Sequence, residues 1–176
     1  MVDTINISDT PLARQQRWVI MGVCGCGKSE IGQRLAQQLN VRFVEGDAYH
    51  TTANVAKMAA GIPLDDRDRA EWLQCLKSEL ASAKSDNAGL VLSCSALKRA
   101  YRDLLREADA DLFFVHLHGD RQLIAQRMQA RGNHFMPTSL LDSQLLALQL
   151  LDTDEQGIQL DINPAPDVLI TQILSA

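Results

Sequence analysis

Apolar residues fall into short unbroken runs, separated by stretches whose apolar positions recur at helical spacing. Five runs read as strands: Trp18–Val23, Arg42–Glu45, Leu90–Cys94, Leu112–Leu117 and Ile158–Ile162. Most are continuous rather than alternating, which is the pattern of strands covered on both faces in a parallel sheet. Between the first two, Ser29 to Leu39 places Ile31, Leu35 and Leu39 on one helical stripe. Asp66 to Lys84 does the same with Leu73, Leu76 and Leu80, and Asp65 or Asp66 suits its N-cap. Ala96 to Glu107 turns Leu97, Tyr101, Leu104 and Leu105 inward. Helices over Arg121 to Ala130 and Leu140 to Leu150, and a short one from about Asp167, complete the order. Strands alternating with helices predict an α/β fold with a parallel sheet. No repeat or linker-like stretch divides it, so residues 17–176 are expected to form a single domain after a flexible lead-in, 1–16.

Composition narrows the partners. The 176 residues can bury a core without staples. The net charge of −5, with acids and bases mixed along the chain, excludes the clustered basic face of a nucleic-acid binder. No apolar run approaches the roughly 20 residues of a membrane span. Met1 to Arg17 holds acids and Pro11 without the apolar stretch of a secretory signal, so a cytoplasmic location is expected. Among the four cysteines, Cys24 and Cys26 lack a second Cys or His pair at ligand spacing, so reduced thiols are expected rather than a metal site.

The segment Gly22-Val23-Cys24-Gly25-Cys26-Gly27-Lys28-Ser29 satisfies G-x-x-x-x-G-K-[ST], with an apolar strand before it and an amphipathic helix after it. Glycines let such a loop curl until successive amides point at phosphate oxygens, and the helix N-terminus adds a favourable dipole. Lys28 would reach the β- and γ-phosphates of ATP, and the Ser29 hydroxyl would ligate Mg²⁺. A guanine-reading Asn/Thr-Lys-x-Asp segment is absent, which argues against a regulatory GTPase. The third strand ends Leu92-Ser93-Cys94-Ser95 with no acid, so metal and substrate carboxylates must come from elsewhere. Glu45 and Asp47 close the second strand; two apart on a strand they would point the same way, beside the loop. Asp47 is expected to orient the acceptor hydroxyl or take its proton, and Glu45 to serve the metal.

Several segments then resemble the gluconokinase family: Gly22–Ser29, Phe43 to His50, Asn54 to Leu64, Asp65 to Leu73, Cys94 to Arg106 and Arg131 to Met136. The resemblance runs in order from about Trp18 to Pro164. It implies a fold similar to shikimate and nucleoside monophosphate kinases, with a five-stranded parallel sheet in the order 2-3-1-4-5. It also implies phosphorylation of D-gluconate by ATP with Mg²⁺, commonly in a homodimer. A shikimate kinase would show a glycine triplet after strand three, where this chain has Cys94-Ser95-Ala96.

Further site expectations follow. Lys98 and Arg102, four apart, would share a helix face and hold an anion between them. Arg67 lies where the related kinases bind their acceptor, and His50 and His134 are further substrate candidates. Arg127 and Arg131 are four apart and lead into a segment, about 127–140, that is a mobile lid in the related kinases, where guanidinium groups stabilise the transferring phosphoryl. Asn163 and Pro164 resemble the loop bordering adenine. The chain departs from the family in having Cys24 and Cys26 where serines are usual, and Gln149-Leu150-Leu151 where Leu-Glu-Pro is common. Lys28 and the helix dipole would lower the pKa of either thiol and make it oxidant-sensitive.

Overall fold

The structure is a computed structural model that describes residues 15–130, 137 and 139–176. Its strands are β1 (Arg17–Met21), β2 (Arg42–Glu45), β3 (Leu90–Ser93), β4 (Phe113–His118) and β5 (Gly157–Asp161). They form one sheet in the order β2-β3-β1-β4-β5, and every neighbouring pair is parallel. Its helices are α1 (Lys28–Leu39), α2 (Thr52–Ala59), α3 (Asp66–Ser85), α4 (Arg99–Arg106), α5 (Arg121–Ala130), α6 (Ser139–Ala147) and α7 (Pro166–Leu174).

The alternation of strand side chains builds two cores, one on each face. Trp18 and Ile20 of β1 join Ile31 and Leu35 of α1, Ile124 and Met128 of α5, Leu140 of α6 and Leu169 and Ile173 of α7. Val19 and Met21 point the other way, to Trp72, Leu73, Leu76 and Leu80 of α3 and Tyr101 and Leu105 of α4. The central strand is therefore apolar from Trp18 to Met21, after a buried Arg17 that pairs with Asp109 at 2.6 Å, which is why its run reads as continuous rather than alternating.

Local chemistry fixes the ends. Asp65 and Asp68 exchange side-chain and backbone hydrogen bonds in a capping box that starts α3. Thr51 caps α2, and Pro166 occupies the first turn of α7. Two expectations change. The helix read from Ala96 begins only at Arg99, because Ala96 has φ 43° and Lys98 is extended at φ −99°, ψ 146°. The helix read to Leu150 ends at Ala147, and the chain beyond it docks on α4: Gln149 N donates to the Leu97 carbonyl at 2.7 Å, and Gln149 Oε1 accepts from Arg99 N at 2.6 Å.

Candidate active site

The glycine-rich loop joins β1 to α1 at the carboxyl end of the sheet, and Gly22 N is tied to the Ser95 carbonyl beyond β3 at 3.2 Å. Gly25 needs to be glycine twice over. Its φ is +79°, and a Cβ there would lie 2.4 Å from Met128 Cγ on α5. Gly27, at φ 96°, caps α1 without a side-chain hydrogen bond, so the first amides of the helix are left for a ligand. Lys28 Nζ folds back to the Val23 carbonyl at 2.9 Å. Burial works against its charge, but Cys26 and Asp47 outweigh it and hold the ammonium above its ordinary pKa. Lysine and loop are thus a standing positive site.

A cleft lies over this loop. Lys28 and Ser29 line it from below, Asp47 and His50 from one side, and Met58, Arg69, Ser95 and Gln144 complete it. Asp47 reaches it differently from the expectation. The strand stops at Glu45 and the chain turns into a 3-10 helix, Gly46–Tyr49, so the two acids do not share a strand face. The turn is tight because a Cβ on Gly46 would sit 2.1 Å from the Ser93 carbonyl oxygen. Asp47 lines the cleft while Glu45 stays behind it, with Oε1 buried and without a hydrogen-bond partner. His50 stacks on Trp72 with ring centroids 4.4 Å apart, its Nε2 3.9 Å from Asp47. Burial first, then Arg69, lower its proton affinity against the pull of Asp47, so it is neutral at pH 7.

A second cavity of about 190 Å³ adjoins the first and shares Met58, Arg69 and Gln144 with it. Its walls come from the start of α3 (Asp65, Asp66, Arg69), from Lys98 and Tyr101, and from α6 (Leu140, Ser143, Gln144). Lys98 Nζ pairs with Asp66 at 2.6 Å, and the Tyr101 hydroxyl donates to the same carboxylate. Arg69 lies 6.0 Å from the ring centroids of both Trp72 and Tyr101 and makes no ion pair among the described residues. A guanidinium beside two rings, with no carboxylate in ion-pair contact among the described residues, is available to an anionic ligand.

On the opposite side of the loop, a cavity of about 330 Å³ is bounded by Cys26, Glu30, Ile31, Arg127, Ile162, Pro164 and Leu169. Ile31, Ile162, Pro164 and Leu169 give it an apolar side that suits a flat heterocycle, beside the charged Glu30 and Arg127. Arg127 donates to the Ile162 carbonyl at 2.9 Å, while Asn163 is exposed and folds onto Asp161.

Three sequence expectations are corrected. Arg102 is fully buried and grips Glu155 with two bonds of 2.7 and 2.8 Å, away from the cavity that Lys98 lines. The four-residue rule fails because Lys98 precedes the helix and is extended. Arg67 is exposed and lines neither cavity; Arg69, two residues on and about 200° round the helix, takes the inward place beside Trp72. The Cys24 thiol is not activated: burial pushes it up to about 11 against the pull of Lys28, as it pushes Cys94 up to about 12. Cys24 Sγ rests 3.6 Å from Met128 Sδ. Arg131 and His134 lie outside the described residues. Arg69 and Gln144 were missed. The spacing of Arg69 to Trp72, Leu73 and Leu76 carried a signal for the first, and nothing comparable marked Gln144.

Comparison with known proteins gives concordant results. The shikimate kinase family model matches residues 24–156. A gluconokinase of Gluconobacter oxydans is 44% identical over 156 residues, covering 89% of this chain and 88% of its own. The thermosensitive gluconokinase of Escherichia coli is 43% identical, covering 84% of this chain and 80% of its own. The crystal structure of a gluconokinase from Sinorhizobium meliloti superimposes with a TM-score of 0.83 at 41% identity, over 92% of this chain and 90% of that one.

Proposed function

This chain belongs to the gluconokinases within the shikimate kinase family, and from that membership we propose that it transfers the terminal phosphoryl group of ATP to the 6-hydroxyl of D-gluconate. The observation that carries the reading is the shared wall. Asp47 faces the phosphate loop, and Arg69 and Gln144 border both that cleft and a cavity of a size to hold a small sugar acid, in which Asp66, Arg69 and Lys98 are set among mostly apolar walls.

In this reading the loop amides and Lys28 hold the phosphates, and the cavity beside Ile162 and Pro164, with Arg127 in its wall, takes the nucleotide's base end. Arg131 contributes positive charge near the transferring group. The Ser29 hydroxyl lines the cleft and Glu45, behind it, has a buried carboxylate oxygen without a hydrogen-bond partner; these are the hard oxygen donors that would serve Mg²⁺. The ion, when bound, supplies charge neutralisation at the phosphates. Asp47 orients the acceptor hydroxyl and receives its proton. Arg69 takes the gluconate carboxylate, seconded by Lys98, while Asp66, His50 and His134 meet hydroxyls. Enclosure of the cleft excludes water, which would otherwise compete as acceptor. A homodimer in the cytoplasm completes the proposal.

ADP release measured against gluconate, other aldonates, shikimate and nucleoside monophosphates tests this reading. Gluconate is expected to support turnover far above the rest. Preferential turnover of shikimate would replace it.

A further inference from the structure

In the resting molecule the phosphate loop is engaged by its own protein. Lys28 is bonded to the Val23 carbonyl, and the Cys24 amide donates to Gln144 Oε1 at 2.7 Å, across 120 residues of sequence. Gln144 is buried on α6, 7% exposed, and α6 is anchored by Leu140 and Leu141 in the core. Its carboxamide oxygen thus occupies a loop amide, the type of donor that a phosphate oxygen takes when a triphosphate binds. Gln144 also belongs to the wall of the acceptor cavity. Of the three residues common to both spaces, Met58 is apolar and Arg69 is cationic. Gln144 alone among these can exchange a neutral hydrogen bond between the two.

We propose that Gln144 is a positioning residue that couples the two substrates: its carboxamide holds the Cys24 amide until the triphosphate displaces it, and the displaced side chain then serves the acceptor in the neighbouring cavity. This rests on the kinase reading above. It requires that the Gln144 contact oppose nucleotide binding and favour acceptor binding once nucleotide is present. An amide bonded to Gln144 must be released before a phosphate can use it, so the free enzyme gives up part of its nucleotide affinity. The same exchange makes acceptor affinity depend on nucleotide occupancy, and linkage makes that dependence reciprocal.

Two substitutions of opposite expected sign separate this from a structural role. In Gln144→Ala the Cys24 amide loses its internal partner, and MgATP affinity should tighten by about 2–10-fold, the net worth of one hydrogen bond. In Gln144→Glu the contact persists with a negative charge aimed at the loop, and affinity should weaken by at least about tenfold. Calorimetric titration with a non-hydrolysable MgATP analogue, with and without gluconate, reads both effects. The wild-type enzyme should bind gluconate more tightly when nucleotide is present, and Gln144→Ala should lose that difference while kcat/KM for gluconate falls. Equal or weaker nucleotide binding in Gln144→Ala, or undiminished coupling, overturns the proposal. Failure of the wild-type enzyme to bind MgATP overturns instead the kinase reading beneath it.

Discussion

Asp47 raises the proton affinity of Lys28 through the cleft between them, while Lys28 Nζ is turned to the Val23 carbonyl. The two side chains therefore hold opposite charges around a space that a transferring phosphoryl and its acceptor would fill. His50, neutral and stacked on Trp72, closes the side of that space without adding charge. In the proposed mechanism Asp47 accepts a proton and Lys28 clamps the phosphates, and substitution separates the two roles. Asp47→Asn keeps the side chain's shape and a hydrogen-bonding oxygen but removes the base. Turnover with gluconate should fall by about 10²–10⁴-fold, the usual range for a lost acid–base group, with MgATP affinity little changed. Steady-state rates and calorimetric titration check this together. Parallel loss of nucleotide affinity would move Asp47 to the metal. The position of Asp47 beside the loop was legible because Gly46-Asp47 follows an apolar strand; its placement on a 3-10 turn was not, because strand periodicity says nothing about where the strand stops.

At the scale of elements, the cavity proposed for the acceptor depends on how α4 is clasped. Arg102 binds Glu155 through two bonds and reaches the carbonyls of Ala96, Gln149 and Leu150 at 3.1, 3.0 and 3.1 Å. Those bonds fix the extended step before α4, and with it Lys98 and Tyr101 on the cavity wall. Burial alone would raise the Glu155 pKa, but Arg102, the Asp152 amide and Arg106 more than offset it and hold it at about 2. Removing one partner leaves the other charge buried and unpaired, so Glu155→Met or Arg102→Met alone should destabilise the fold by roughly 3–5 kcal/mol. The double change Arg102→Met with Glu155→Met should cost less than either single change, and urea unfolding of all four proteins measures the difference. Spacing alone could not reveal this clasp, since its two charges are 53 residues apart. Helix α2 was also missed, for a simpler reason. Asn54 and Met58 are its buried residues, a stripe too thin and too polar to register as periodicity. The long, strongly striped α1 and α3 were plain in the sequence because tertiary burial and local spacing agree there.

The whole molecule reads as a five-stranded platform with the candidate site at its carboxyl edge and its buried charges held in pairs, Arg17 with Asp109 and Arg102 with Glu155. The strand runs and their parallel arrangement were legible because central strands must be apolar on both faces. What the pattern concealed includes a histidine buried in the platform. His116 lies on β4, fully buried, between Met21 of β1 and Gln159 of β5 in register. Its Nδ1 is 3.3 Å from Gln159 Oε1, and its Nε2 is buried without a hydrogen-bond partner. Burial, opposed by the Gln159 bond and assisted by His118 and Arg102, pushes its pKa down to about 4. The sign follows from linkage. An unfolded histidine takes its proton near pH 6.5, whereas the folded one refuses it until about 4, so between those values acid favours the unfolded chain. Stability should therefore fall by up to about 1.4 kcal/mol per pH unit from this group, with His50 adding to the same slope. The Glu155 contribution behaves differently: it is intact above about 4.5 and disappears as pH falls toward 2. Replacing His116→Gln should flatten the stability curve between pH 6.5 and 4 and leave the lower window unchanged. Urea midpoints taken from pH 7.5 to 3 on both proteins decide the matter; an unaltered slope in the variant would mean that the platform accommodates a charged imidazole after all.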